Sequence, residues 1–141
     1  LNVERELFIN VGLYSGIYNL FIKLEMVKLY LNQEYEREKL EELLKVSNPK
    51  HVIERAQLYF NNPDIKVYLS SNKNKKYAII NPNTDKLVNF GSLLYQDYTK
   101  HQNTDRQKAY LNRSSKIKGD WEKDKYSPNN LSRVLLWDAP F

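Results

Sequence analysis

The chain has 141 residues, enough for one domain or two small modules, and carries 22 Lys and Arg against 17 Asp and Glu, a formal charge of +5. The absence of cysteine excludes disulfides, a thiol nucleophile and Cys-ligated zinc or iron–sulfur sites. With 4 glycines and no GxGxxG or GxxxxGKS/T run, there is no Gly-rich cradle for a nucleotide phosphate.

Charge is unevenly divided. Residues 1–60 hold 8 basic and 9 acidic side chains and residues 61–141 hold 14 and 8, so the whole basic excess lies in the second half. The chain begins at Leu1 rather than Met, which leaves room for an upstream segment. Aromatic residues reach 13%, led by 11 Tyr, while mean hydropathy is only −0.70. That balance describes amphipathic surface of the kind found at interfaces, or an AT-rich coding composition with no functional meaning.

The uncharged run at 7–22 includes Asn10, Ser15 and Asn19, and at 16 residues it is too short and too polar for a membrane span of about 20 apolar residues. A membrane contact there is disfavoured without being eliminated, and a signal-peptide core lacks its basic leader and cleavage site. Leu13, Ile17, Leu20, Leu24, Val27 and Leu31 recur at spacings of four and three, the seam of a helix packed on another helix, either in a hairpin or in an oligomer. From Glu34 to Lys45 the helix becomes acidic, and Leu40, Leu43 and Leu44 keep one buried edge. Ser47-Asn48-Pro49 restarts a helix, with Ser or Asn as cap, that runs to about Phe60.

After Asn61-Asn62-Pro63 the period becomes extended. Residues 65–69, 77–80 and 87–90 read as three short antiparallel strands, the last two joined by the turn-rich residues 81–86. Leu93-Leu94-Tyr95 reads as a short helix, and Thr104-x-x-Gln107 has capping-box spacing for a helix from Asp105 to about Ile117, closed by Gly119. Ser127-Pro128 starts a last helix leading to Trp137, and the apolar Ala139-Pro140-Phe141 calls for burial on its own domain or on a neighbour. The expected fold is α+β, an N-terminal helical hairpin followed by a small antiparallel sheet with packed helices, divided into a helical segment 1–62 and a basic module 63–141.

Two constellations bear on chemistry. Asp97, His101 and Asp105 lie four apart and could orient a metal or an acid–base pair on one continuous helix, but the capping signal at Thr104 breaks that helix and leaves them as caps and ion-pair partners. His51 has no carboxylate at metal-ligand spacing and reads as a surface residue. The second constellation is basic. Lys73, Lys75, Lys76, Arg106, Lys108, Arg113, Lys116 and Lys118 could contact phosphates, with Arg106, Tyr110 and Arg113 near a common helix face, or could be ordinary solvated charge. Tyr77, Phe90, Tyr95, Tyr98 and Tyr110 fall where a small core needs rings, so base stacking is not required to explain them.

Between Lys76 and Trp137 several rare features follow in fixed order: Lys76-Tyr77, Asn89-Phe90-Gly91, Tyr95-x-Asp97-Tyr98-Thr99-x-His101, Asp105-Arg106-x-x-x-Tyr110-x-x-Arg113, Gly119-x-Trp121, Ser127-Pro128-Asn129-Asn130-Leu131 and Leu136-Trp137. This order resembles a family of short uncharacterised proteins found in large double-stranded DNA viruses and some tailed phages, and departs from it at Gln102-Asn103, where the family has a charged pair. The resemblance implies a viral setting, in the virion and in host cytoplasm during assembly, and a non-enzymatic structural role such as a minor capsid or cement component. Other virion proteins would be the partners, meeting the seam, Trp137 and Phe141; nucleic acid is the alternative partner, and no metal or cofactor is called for. Within the pattern, Asp97 and His101 are expected to pair with Arg106 or Arg113, and Trp121 and Trp137 to fill the space beneath the hairpin.

Overall fold

The computed structural model describes residues 34–141, with side chains from Arg37 onward. The seam at 13–31 and the uncharged run at 7–22 lie outside the described residues. The first described helix, α1 (Glu34–Val46), buries Leu40 and Leu43 and half-buries Leu44. Pro49 occupies the first turn of α2 (Pro49–Tyr59), where its missing N–H costs nothing. Asn48 holds the extended cap conformation but makes no side-chain cap bond, and Ser47 turns inward. Left-handed Asn61 follows the end of α2.

Strands β1 (Tyr68–Leu69), β2 (Lys75–Asn81) and β3 (Lys86–Ser92) form an antiparallel sheet in that order, with Tyr77 opposite Phe90 and Tyr68 opposite Ala78. The fold is therefore α+β. The strand expected over 65–69 pairs only through its last two residues. The β2–β3 turn closes on Asn81, whose side chain accepts from the Asn83 N–H and whose carbonyl accepts from that of left-handed Asp85.

Two further sequence expectations shift. Residues 93–95 form a turn, because the Leu93 N–H continues the hairpin by bonding the Asn74 carbonyl and the Asp97 N–H bonds Val46. The short helix α3 (Tyr98–His101) begins three residues later and stops at left-handed Gln102. In α4 (Thr104–Ser114) the cap is Asn103, whose side chain accepts from the Arg106 N–H, while Gln107 reaches across to the Trp137 carbonyl instead of back to a capping box. Gln102 and Asn103, neutral where the resemblance expects charge, thus terminate one helix and start the next.

A 3-10 turn (Trp121–Lys123), α5 (Pro128–Leu131) and a π-helical turn (Ser132–Leu136) complete the described elements. Ser127 caps α5 through the Asn130 N–H, as its sequence signature predicts. Gly119, at φ +105, does not close α4. The carbonyl end of that helix is met by Asn129, donating to Ser114, and by Arg133, donating to Leu111.

One hydrophobic core gathers Leu43, Val52 and Ile53, then Tyr77, Ile79 and Phe90, then Leu131, Leu135 and Trp137, so side chains on both sides of the boundary expected near residue 62 share it. Trp121 stays outside, half-buried under the Arg133 guanidinium at 5.2 Å. The C-terminal residues are strapped to α2. Arg55 donates to the Val134 and Ala139 carbonyls at 3.0 and 2.6 Å and covers the Phe141 ring, and His51 meets the Asp138 carboxylate at 2.8 Å. His51 is thus a clamp residue rather than a free surface one. Its partner is 87 positions away, out of reach of any local spacing rule.

Beneath the sheet runs a buried polar chain. Tyr77 donates to Ser47 at 2.8 Å, Thr99 accepts from the Asn48 N–H, and Thr99 donates its single hydroxyl proton to Asp97, so Ser47 is the donor to Thr99. The other Asp97 oxygen accepts from the Lys76 ammonium at 3.0 Å, and that ammonium also donates to the Tyr95 carbonyl at 2.7 Å. Lys76 is 2% exposed and Asp97 fully buried. Burial lowers the Lys76 pKa, and the Asp97 charge opposes that shift. Removing one member of such a pair costs about 3–5 kcal/mol because the other charge is stranded. Lys76→Met is expected to lose stability on that scale in urea unfolding, and adding Asp97→Asn should recover much of it. Strictly additive losses would contradict this coupling.

Candidate anion-binding cleft

A cleft of about 690 Å³ opens between the sheet, α4 and the C-terminal turn, within the range of roughly 300–1,000 Å³ usual for ligand sites. Lys75, Lys76, Gly91 and Ser92 supply the sheet wall, and Tyr95 and Gln96 the rim. Helix α4 contributes Arg106, Ala109, Tyr110 and Arg113, and the π-helical turn contributes Ser132 and Leu136 beside Trp137. π-Helical turns are rare and concentrate at functional sites; here the turn brings Leu136 close under Gly91. A Cβ added to Gly91 would lie 2.7 Å from Leu136 Cδ1, and the residue's φ of +82 disfavours any side chain.

Arg106, Tyr110 and Arg113 meet in this cleft as their common helix face predicts. Lys75 joins them from β2. Lys76 does not act as a surface phosphate contact: it is buried, and its charge is answered by Asp97, which therefore pairs with Lys76 rather than with Arg106 or Arg113. Lys73, Lys108, Lys116 and Lys118 are exposed outside the cleft lining. Among the described residues no carboxylate lines the cleft, and none forms an ion pair with Lys75, Arg106 or Arg113.

The back wall is aromatic. Tyr110 and Trp137 stack at 4.2 Å with planes 7° apart, and the His101 ring lies 5.3 Å from that of Trp137. Trp137, expected at an interface, is buried in its own domain, whereas Phe141 is 62% exposed with one edge against Tyr59. Tyr95 departs in the opposite sense. Expected in the core, its ring is 67% exposed at the cleft rim. Sequence reasoning missed Tyr95 as a site residue because its exposure follows from a turn that replaces the expected helix. The trio Asp97, His101 and Asp105 does not assemble, since the backbone reverses at Gln102 and Asp105 points to solvent from the first turn of α4.

Residues 65–114 match a family of unknown function (DUF5754). No curated protein and no solved structure matches the chain. The matched stretch holds all three strands, the Lys76–Asp97 pair and both cleft arginines, and stops before Trp137.

His101 reports on the electrostatics of the site. Its Nδ1 accepts from the Asn103 N–H at 2.9 Å, which places the ring proton on Nε2, a buried atom with no partner among the described residues. Burial lowers its pKa, the Arg106 and Lys76 charges lower it further, and Asp97 acts against them. A lowered folded value means that the unfolded chain takes up this proton first, so the folded state loses stability as pH falls below the ordinary histidine value of 6.5 and ceases to lose it below the folded value. Thermal unfolding measured from about pH 7 to about pH 5 should show this decline, and His101→Gln should flatten it. An unchanged slope in the variant would assign the decline elsewhere.

Proposed function

We propose that the chain is a non-enzymatic binding module whose basic cleft engages the phosphates of a nucleic acid. The observation that carries the reading is the lining itself: three cations, two of them arginines, that have no acidic partner among the described residues, around a concavity to which those residues bring no carboxylate. Arginine presents a planar fork to phosphate oxygens, and cations held apart from carboxylates keep their full attraction for them. The net charge of +5 adds a long-range bias of the same sign.

Titrating purified protein against mixed-sequence single strands and duplexes from low to physiological salt tests this. Three phosphate contacts should give a slope of log affinity on log salt of about −2 for single strands. Arg106→Glu with Arg113→Glu should weaken binding at least about tenfold and remove most of that slope. Binding unaffected by the double reversal would sink the reading.

A virion-subunit role, drawn from the viral resemblance, rests on a different observation. Leu58 on α2 and Phe141, packed against Tyr59 of the same helix, leave apolar side chains in solvent where a neighbouring subunit would cover them. That reading expects the chain in stoichiometric amount in purified particles, retained through a high-salt wash; loss on washing would count against it.

A further inference from the structure

We infer that the cleft selects single-stranded over duplex nucleic acid, with phosphates on the α4 arginines and an unpaired base stacked on the exposed Tyr95 ring; this deepens the phosphate-binding reading and depends on it. Three observations combine. First, the cationic surface is the wall of a concavity, not a protruding helix or ribbon that could enter a groove. A duplex presents its phosphates on a convex cylinder with the bases stacked inside, whereas a single strand can place one nucleotide within such a cleft.

Second, Arg106 and Arg113 stand seven residues apart on one helix, about 10 Å along its axis. Each can therefore meet its own phosphate, and the nucleotide between them lies in the cleft that Tyr95 also lines. Third, the cleft rim carries a large ring in solvent for which the core has no use. Tyr95 is 67% exposed beside Leu94 at 78%, while its backbone is held by the Lys76 ammonium on its carbonyl. A ring on an anchored backbone loses less freedom on stacking than one on a mobile loop, and every base offers a face to it, so the preference is for strand state rather than sequence. Tyr110 and Trp137 are already stacked on each other, which leaves Tyr95 as the aromatic surface at the mouth.

Fluorescence anisotropy with the full chain would compare three probes of equal length, a mixed-sequence single strand, the same backbone lacking bases and the corresponding duplex, with a mononucleotide as competitor. The expected result is about tenfold tighter binding of the strand than of the abasic backbone or the duplex, the size of one base–aromatic stack. Tyr95→Ala should abolish that difference without altering the salt slope, and Tyr95→Phe should retain it; because the ring lies in solvent, circular dichroism should show both variants folded. If the abasic backbone or the duplex binds as tightly as the strand, the single-strand inference fails while the phosphate-binding reading stands. A mononucleotide competing as well as the strand overturns it in favour of a small-anion site. Absence of binding by every probe at physiological salt removes both readings.

Discussion

The buried ion pair between Lys76 and Asp97 is the constraint around which the other elements are arranged. The ammonium of a lysine 2% exposed needs hydrogen-bond partners, and this one reaches the Asp97 carboxylate and the Tyr95 carbonyl. To do so, its aliphatic stem must pass beneath Gly91, where no side chain fits, and the chain after β3 must turn past it at residues 93–95 instead of coiling at once into a helix. Asp97 in turn receives the hydroxyl chain from Tyr77 through Ser47 and Thr99, which ties the α1–α2 junction to the sheet. Successive donors polarise one another toward the carboxylate, so the network fixes a geometry more surely than it adds stability.

The same pair sorts the cations. With Lys76 neutralised from behind, the charge reaching the cleft comes from Lys75, Arg106 and Arg113, and these have no answering carboxylate among the described residues. The site is thus electrostatically asymmetric: a saturated floor beneath unsaturated walls. At His101, burial is the first cause of the lowered pKa, and the Arg106 charge adds to it.

Local features of the sequence were legible because their physics is local. The apolar spacing at Leu40 and Leu43, the proline opening α2, the apolar run from Tyr77 to Ile80 and the Ser127 cap each depend on neighbours within a few residues, and each appears where expected. The common face of Arg106, Tyr110 and Arg113 was legible for the same reason. What could not be read depends on distant partners. Lys76 looks like any other lysine of the basic run until Asp97, 21 positions on, folds beneath it. Asn129 and Arg133 finish α4 from a segment that no capping rule inspects, so Gly119 seemed the better stop. Tyr95 appeared to be a core ring because the turn that exposes it is imposed by hydrogen bonds to Asn74 and Val46, made at Leu93 and Asp97 on either side of it.

The strap between α2 and the C-terminal residues bears on how the molecule is made. Arg55 and His51 find their partners at Val134, Asp138 and Ala139, and the stacked wall of the cleft needs Trp137. During synthesis the sheet and α4 leave the ribosome with Leu131, Leu135 and Trp137 still missing from their shared core. The strap and the stacked wall therefore form only once the final dozen residues described are present, in a late step dominated by contacts far apart in sequence. Until that moment the nascent chain lacks the apolar side chains that share the core with Tyr77 and Phe90, a window in which a holding chaperone or an early partner would find apolar surface that the finished protein hides.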